Sequence, residues 1–407
     1  MGSRLSTPSH SSSTSITGAP HLPHDIHFEI ISHLSPDRDR QTLLSAALCC
    51  NALCHASQRI LFHSMRVSWM DFNDTYRILS AHIKFLQTIV NSPDRLALFV
   101  QSYSQVSLAL EPSFLTNTEA QRLDNKRDRV KLWNLTANAL PLMVNLKNIY
   151  FKPSWDHPSA PILLKHCTFQ LESFTWMGKG NEERLFGEFL PNQPGLLHLD
   201  INTTSFDEKK VLPNGLCPTL VSVSCTFSGF AQIAENRPIT AFHIVNSIQD
   251  IARPIHVEKR SPPEKQQYLM ALKRLKYLHL WSLSQFQPLT SGVSLDNVIV
   301  LELTLWQVTV LSQEMSILAT QFPQLRILRL WDHYPSSTDT DPAIRNEAAT
   351  EAFAQCPKLE AVILSSRSKN SLTWEFSKGK EGDVKEETTD ARVKEFDRGV
   401  WWKVYDM

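Results

Sequence analysis

A short apolar phrase recurs along this chain and constrains its fold more than any other feature. The phrase is an apolar residue, two free positions, a second apolar residue, one free position and a third apolar residue. Its nine copies begin at Leu146, Leu171, Leu196, Leu220, Ile239, Leu275, Val298, Leu325 and Leu359, and successive copies start 19 to 36 residues apart. Side chains two apart on a strand point to the same side. The phrase therefore predicts a series of short strands that each bury one face.

Helices are predicted between these strands. Asp341 precedes Pro342, a pair that suits the N-cap and the first position of a helix. Prolines precede several copies of the phrase, at Pro194, Pro218, Pro323 and Pro357. Because proline lacks the amide proton that a continuing helix needs, each one is expected to end a helix and release the chain into a strand. One helix, a proline stop and one short strand make the predicted unit.

The phrase and its spacing resemble the leucine-rich repeat, which has a period of about 20–29 residues. Stacked repeats bury their apolar faces against one another and present a broad binding surface. The resemblance implies an α/β fold with a small helical module followed by a leucine-rich-repeat solenoid, in which helices line a parallel sheet. The alternative is chance recurrence of a common residue, and nine copies repeatedly preceded by proline disfavour it.

Composition divides the chain into five predicted segments. Residues 1–20 contain ten Ser or Thr and no apolar period, which predicts a disordered tail. Residues 21–65 are expected to form a compact helical module. Residues 66–140 should supply linking helices and a strand that lead into the array. The repeats span residues 141–366, and residues 367–407 are predicted to be an irregular C-terminal segment or a cap.

The helical module carries a second resemblance. Residues 21–34 read HLPHDIHFEIISHL, and residues 42–50 read TLLSAALCC. Both stretches resemble the F-box, in which Leu-Pro, an acidic residue and spaced Ile or Leu open the motif and Val-Cys-x-x-Trp closes its second helix. Here Cys49 stands in the Val position, Cys50 matches, and Leu53 replaces the Trp. The whole chain is similar to fungal F-box proteins with C-terminal leucine-rich repeats.

This second resemblance implies docking to a Skp-type adaptor and, through it, to a cullin. A module this short cannot bury much of its own apolar surface, so some of that surface is expected to face a partner. The adaptor-binding candidates are Leu22, Pro23, Ile26, Ile30, Leu34 and Leu44. The alternative is that these side chains only fill a local core. The implied function is the substrate-recognition subunit of a Skp–cullin–F-box ubiquitin ligase. The runner-up is a non-ligase leucine-rich-repeat scaffold with a degenerate F-box, which Leu53 favours.

Strand alternation predicts where an unidentified protein target would bind. If Leu278 and Leu280 point inward, the residues between and beside them point out of a concave sheet. The target-binding candidates are Tyr277, His279, Trp281, Glu302, Arg329 and Trp331. Trp and Arg are enriched at binding hot spots, which favours these residues as anchors. The alternative is that loops or the Trp401-Trp402 segment cover them.

The sequence predicts no catalytic residue, no cofactor and no metal. Cys50 and Cys54 lie one helical turn apart, but no second Cys or His pair stands at zinc spacing. The 41 basic and 41 acidic residues balance, and no basic stripe indicates nucleic-acid binding. No apolar run reaches the roughly 18 residues that span a bilayer. Seven cysteines without framework spacing predict reduced thiols, hence the cytoplasm or the nucleus.

Overall fold

The computed structural model describes residues 23–36, 38–65, 75–106, 119–152, 160–178, 182–201, 215–245, 262–283, 290, 292–305, 311–332, 342–366, 372–378 and 384–390. The chain divides into two compact units, Met1–Ser64 and Met65–Met407.

The first unit is built from three helices: α1 at His24–Ser32, α2 at Arg40–Cys49 and α3 at Asn51–Leu61. Its core joins Ile31, Leu43 and Ala56, one residue from each helix, with Leu34 and Leu53 packed against them. The turn between α1 and α2 is closed through Asp39. The carboxylate of Asp39 accepts a hydrogen bond from the Ser35 amide at 2.9 Å, and its carbonyl accepts one from the Leu43 amide at 2.9 Å. This core is small, because each helix contributes a single fully buried apolar side chain.

The second unit is organised around a sheet whose strands follow one another in chain order. The thirteen strands of the described residues are β1 (Ser64–Met65), β2 (Ser102–Val106), β3 (Asn148–Lys152), β4 (Ser173–Trp176), β5 (His198–Ile201), β6 (Ser222–Cys225), β7 (Ala241–Ile244), β8 (Tyr277–Leu280), β9 (Val300–Leu305), β10 (Ile327–Asp332), β11 (Ala361–Ser366), β12 (Leu372–Lys378) and β13 (Val384–Asp390). Pairing is parallel from β2 to β11 and antiparallel from β11 to β13. The nine copies of the apolar phrase correspond to strands β3 to β11, so the predicted strands and the α/β class are confirmed.

The register of the sheet lines up the middle apolar residues of the nine phrases with Tyr103 of β2 at one end and Phe376 of β12 at the other. We call this row the ladder. Its members are Tyr103, Ile149, Phe174, Leu199, Val223, Phe242, Leu278, Leu301, Leu328, Val362 and Phe376. None of these side chains is more than 3% exposed. Full burial of one Leu or Phe stabilises a fold by about 1.5–3 kcal/mol, so the ladder is a large part of the core of this unit.

Seven helices of the described residues belong to the second unit. They are α4 (Thr75–Asn91), α5 (Glu119–Ala139), α6 (Glu182–Arg184), α7 (Phe227–Ala234), α8 (Pro262–Leu272), α9 (Leu311–Gln321) and α10 (Pro342–Gln355). The ring of Phe230 in α7 stacks on ladder residue Phe242 with centroids 4.0 Å apart. Helix α9 ends just before Phe322-Pro323, and α10 ends just before Cys356-Pro357. The predicted proline stops are confirmed at these two helices.

A buried polar network lies at the N-terminal end of the ladder. His82 of α4 lies 2.9 Å from the hydroxyl of Tyr103, measured from the ring Nε2 atom. The Tyr103 hydroxyl donates to the side-chain oxygen of Gln105 at 2.5 Å, and Thr136 of α5 donates to the same oxygen at 2.8 Å. Burial lowers the pKa of His82 from its usual 6.5 to about 4. Burial therefore keeps His82 neutral near pH 7.

The C-terminal part of the described chain differs from its prediction. Where the sequence indicated an irregular segment or a cap, β12 and β13 form an antiparallel hairpin that extends the sheet. Trp374 and Phe376 of β12 are 5% and 0% exposed and pair with the apolar residues of β11. Arg345 of α10 lies 4.4 Å above the Trp374 ring and 3.3 Å from Glu386 of β13. This hairpin escaped prediction because it lacks the repeated phrase. Residues Trp401-Trp402 lie outside the described residues.

Candidate functional site

The first unit leaves large apolar side chains in solvent. Ile26 and Ile30 on α1 are 43% and 53% exposed, and Leu44 and Leu48 on α2 are 41% and 88% exposed. Residues four apart share a face of a helix, so each helix presents one apolar stripe. We call these four residues the exposed stripes. An exposed stripe on a unit with so small a core is typical of a surface that binds a partner.

The structure separates the adaptor-binding candidates into two groups. Pro23, Ile26, Ile30 and Leu44 are exposed, so a local core does not account for them. Leu34 is half-buried and packs against the core of Ile31, Leu43 and Ala56. Leu22 lies outside the described residues.

Two exposed apolar residues of this unit were missed by sequence reasoning. Leu48 is the last leucine of α2, and Phe28 on α1 is 41% exposed, with its ring edge-on to His55 at 6.4 Å. The signal for Leu48 was present in the sequence. Leu43 is fully buried, so Leu44 and Leu48, four residues apart, fall on a different face of the same helix.

Strand alternation in the second unit creates a row of polar side chains on the face opposite the ladder. We call it the polar row. Register pairs its members one to one across strands β5 to β10: Asp200, Ser224, His243, His279, Glu302 and Arg329. Neighbouring strands lie about 4.8 Å apart, which brings each of these side chains within reach of the next. The sequence candidates His279, Glu302 and Arg329 are therefore brought together, as predicted from alternation.

Hydrogen bonds and ring contacts connect the polar row. The Oγ of Ser224 and the Nδ1 of His243 are 2.8 Å apart, and the rings of His243 and His279 have centroids 4.0 Å apart. The Nε2 of His279 lies 3.1 Å from the hydroxyl of Thr304. The hydroxyl of Tyr277 donates to Glu302 at 2.6 Å.

The end of the polar row at β9 and β10 carries an ion pair. The Nη1 of Arg329 lies 3.9 Å from the Glu302 carboxylate, and its guanidinium carbon lies 5.4 Å from the centre of the Trp331 ring. The aromatic face and the carboxylate both stabilise the cation. Trp281 and Trp331 are themselves half-buried, so part of each indole faces solvent next to the row.

The predicted exposure of this face is wrong for three of the candidates. Tyr277, His279 and Arg329 are 6%, 4% and 5% exposed. Alternation predicts the side of the sheet but not the depth at which a side chain lies. Large side chains on adjacent strands cover one another, as the contact between the tilted rings of His243 and His279 shows.

The polar row places a serine next to a histidine, as a nucleophile–base pair does. Ser224 is 4% exposed and lies in the middle of a strand paired on both sides. The neighbouring thiol of Cys225 is also buried, and burial together with Asp200 raises its pKa well above 9. Cys225 therefore stays protonated near pH 7, as a core residue does.

Asp200, Ser224 and His243 were missed by sequence reasoning. They stand between the apolar positions of their own copies of the phrase, as His279 does, so the alignment of the nine copies could have found them. The prediction considered only the copies that begin at Leu275, Val298 and Leu325.

Among the described residues, no group of three or more His, Cys, Asp or Glu side chains is placed to hold a metal ion. Within the same residues, no helix has the length and apolar character needed to cross a membrane. Family models were compared with the whole chain, and none matches. No curated protein sequence matches it either.

Proposed function

We propose that this chain is a substrate-recognition subunit of a Skp–cullin–F-box ubiquitin ligase. In this proposal the first unit is an F-box module that docks a Skp-type adaptor, and the adaptor links the chain to a cullin. The second unit is a leucine-rich-repeat solenoid that holds a protein target. A conjugating enzyme carried by the partners performs the transfer, in the cytoplasm or the nucleus, and this chain supplies no catalytic group.

One observation carries the proposal. Ile26 and Ile30 are exposed on the same helix whose sequence resembles the opening of the F-box. Full burial of an isoleucine stabilises by about 1.5–3 kcal/mol, and leaving Ile26 and Ile30 about half exposed forgoes roughly half of that for each side chain. A partner that covers them recovers that free energy, and the exposed Leu44 and Leu48 add to the same driving force.

The test is co-purification of the full chain with a co-expressed Skp-type adaptor. We expect Ile26→Asp to abolish adaptor capture, because a charge buried in an apolar interface costs several kcal/mol. The matched control is Met270→Asp in α8, which places the same charge at an apolar side chain of similar exposure, 55% against 43%. The control should capture the adaptor as the wild type does. Equal capture by the Ile26 variant, or no capture by the wild type, would contradict the proposal.

Target binding is proposed for the face that carries the polar row and its flanking indoles. Trp281 and Trp331 are half-buried, and the Trp331 ring lies 5.4 Å from the guanidinium carbon of Arg329, which is paired with Glu302. An aromatic anchor next to a fixed charge is the usual composition of a binding hot spot. We expect the Trp281→Ala/Trp331→Ala double variant to lose the target in a pull-down while keeping the wild-type circular dichroism spectrum. Unchanged target capture by the folded variant would exclude these indoles as anchors.

A second candidate function is a scaffold without ligase activity. Leu53 is the observation that favours it, since the F-box family has Trp at this position and Leu53 is packed into the core of the first unit. Substituting Leu53→Trp separates the two candidates. If Leu53→Trp binds the adaptor more tightly than the wild type does, the F-box is weakened and the scaffold is supported. If the wild type already captures the adaptor and Ile26→Asp abolishes that capture, the ligase subunit is supported.

A further inference from the structure

A depression of about 540 Å³ opens where strands β9 to β11 begin, next to the end of β12. It is lined by Ile299, Gln324, Arg326, Pro357, Lys358, Leu359, Glu360 and Lys378. The backbone aligns these strand starts, because the Arg326 amide donates to the Ile299 carbonyl at 2.9 Å and the Glu360 amide donates to the Arg326 carbonyl at 2.7 Å. A volume of this size is typical of a pocket that accepts a small ligand or a few side chains.

The lining carries an excess of positive charge. Arg326 donates twice to Glu360, from Nε to Oε1 at 2.7 Å and from Nη2 to Oε2 at 2.8 Å. That fork occupies both oxygens of the one carboxylate in the lining. Lys358 donates to the amide oxygen of Gln324 at 2.6 Å, and Lys378 is exposed. Two ammonium charges therefore remain without a neutralising carboxylate in the lining, on a chain whose formal net charge is zero.

The lining also has an apolar component. Leu359 is buried, Ile299 is half-buried and Pro357 is exposed. These apolar side chains lie in the same lining as the cations Lys358 and Lys378. A ligand in which carboxylates alternate with apolar side chains would match both kinds of residue.

We infer that this depression binds an acidic segment of a partner protein, in which carboxylates alternate with apolar side chains. Lys358 and Lys378 pair with the carboxylates, and Ile299 and Pro357 contact the apolar side chains between them. Arg326 is held in place by Glu360 and orients the entry of the segment. The inference stands apart from adaptor docking and from the polar row, since its residues belong to neither.

The experiment measures fluorescence anisotropy of the full-length chain with a labelled peptide of alternating Glu and Leu. We expect Lys358→Glu/Lys378→Glu to weaken binding at least about tenfold, because two attractive contacts become repulsive. The matched control, Lys84→Glu/Lys165→Glu, makes the same charge change at two exposed lysines outside the depression. This control should bind as the wild type does. Binding should also weaken as salt rises, since the lysines are exposed and screened within about 10 Å at 0.1 M.

A variant that binds more tightly distinguishes a specific effect on binding from misfolding. Glu360→Gln removes the carboxylate that repels the peptide, so we expect tighter binding than the wild type, a result that an unfolded protein cannot produce. The peptide with Gln in place of Glu should not bind. Equal binding by the lysine double variant and its control, or no binding by the wild type, would overturn the inference. Preferential binding of a double-stranded DNA probe at the same lysines would overturn the assignment to a peptide.

Discussion

Both faces of the sheet in the second unit bury side chains, but with opposite chemistry and to different depths. The ladder on one face is almost entirely apolar, with Phe242, Leu278 and Leu301 fully buried. The polar row on the other face places His279 and Arg329 at 4% and 5% exposure. Apolar side chains are buried because water excludes them. The polar side chains tolerate burial because they find partners in the next strand, as Ser224 does with His243. Burial alone therefore does not identify the core.

Truncating the ladder should have the largest effect on stability. Leu301→Ala removes a fully buried side chain between Leu278 and Leu328. We expect the free energy of unfolding to fall by about 2–5 kcal/mol, because the cavity left behind adds to the lost burial. Denaturant unfolding measures it, with Val130→Ala at a 49% exposed position as the control. A loss no larger than the control's would show that the ladder does not support the sheet.

The buried His82, which contacts the first ladder residue Tyr103, should make stability depend on pH. His82 has its pKa lowered to about 4 in the folded state, so the unfolded chain binds a proton more readily between pH 6.5 and 4. The stabilisation is present above pH 6.5 and is lost as the pH falls towards 4, by about 3 kcal/mol. Replacing His82 with Gln should remove this part of the pH dependence. The checking measurement is the unfolding free energy of both proteins at several pH values in that range, and parallel curves would contradict the prediction.

Neutralising the polar row should cost less than truncating the ladder. Glu302→Gln keeps the size of the side chain but removes the charge next to Arg329 and weakens the acceptor of Tyr277. We expect a loss of about 1–3 kcal/mol, the cost of leaving a buried polar partner poorly satisfied. The same unfolding assay measures it. A loss as large as that of Leu301→Ala would mean that the two faces contribute equally to stability.

Much of the fold could be predicted because the phrase is local. Each copy places its second and third apolar residues within a single strand, and a strand's period of two then assigns them to one face. The C-terminal hairpin could not be found this way, since Trp374 and Phe376 follow an antiparallel pattern that the phrase does not describe. The exposed Leu48 was predictable in principle, because helical period separates it from Leu43.

The candidate surfaces depended more heavily on contacts between strands distant in sequence. Alternation predicts that His279, Glu302 and Arg329 share one side of the sheet. Their burial depends on neighbours in adjacent strands, whose paired residues are 23 to 27 positions apart in the sequence. The basic depression was invisible in the sequence for the same reason. Its cations Arg326, Lys358 and Lys378 are scattered along the chain among acidic residues.

The sequence by itself determined the number, order and apolar face of strands β3 to β11, because hydrophobic periodicity is a property of each short segment. It also determined that α1 carries more apolar side chains than a small core needs, as Ile26 and Ile30 show. Only the tertiary structure decided how deeply the polar row lies and where positive charge accumulates. Burial and electrostatic potential are sums over neighbours in space, and register between strands, rather than spacing along the chain, chooses those neighbours.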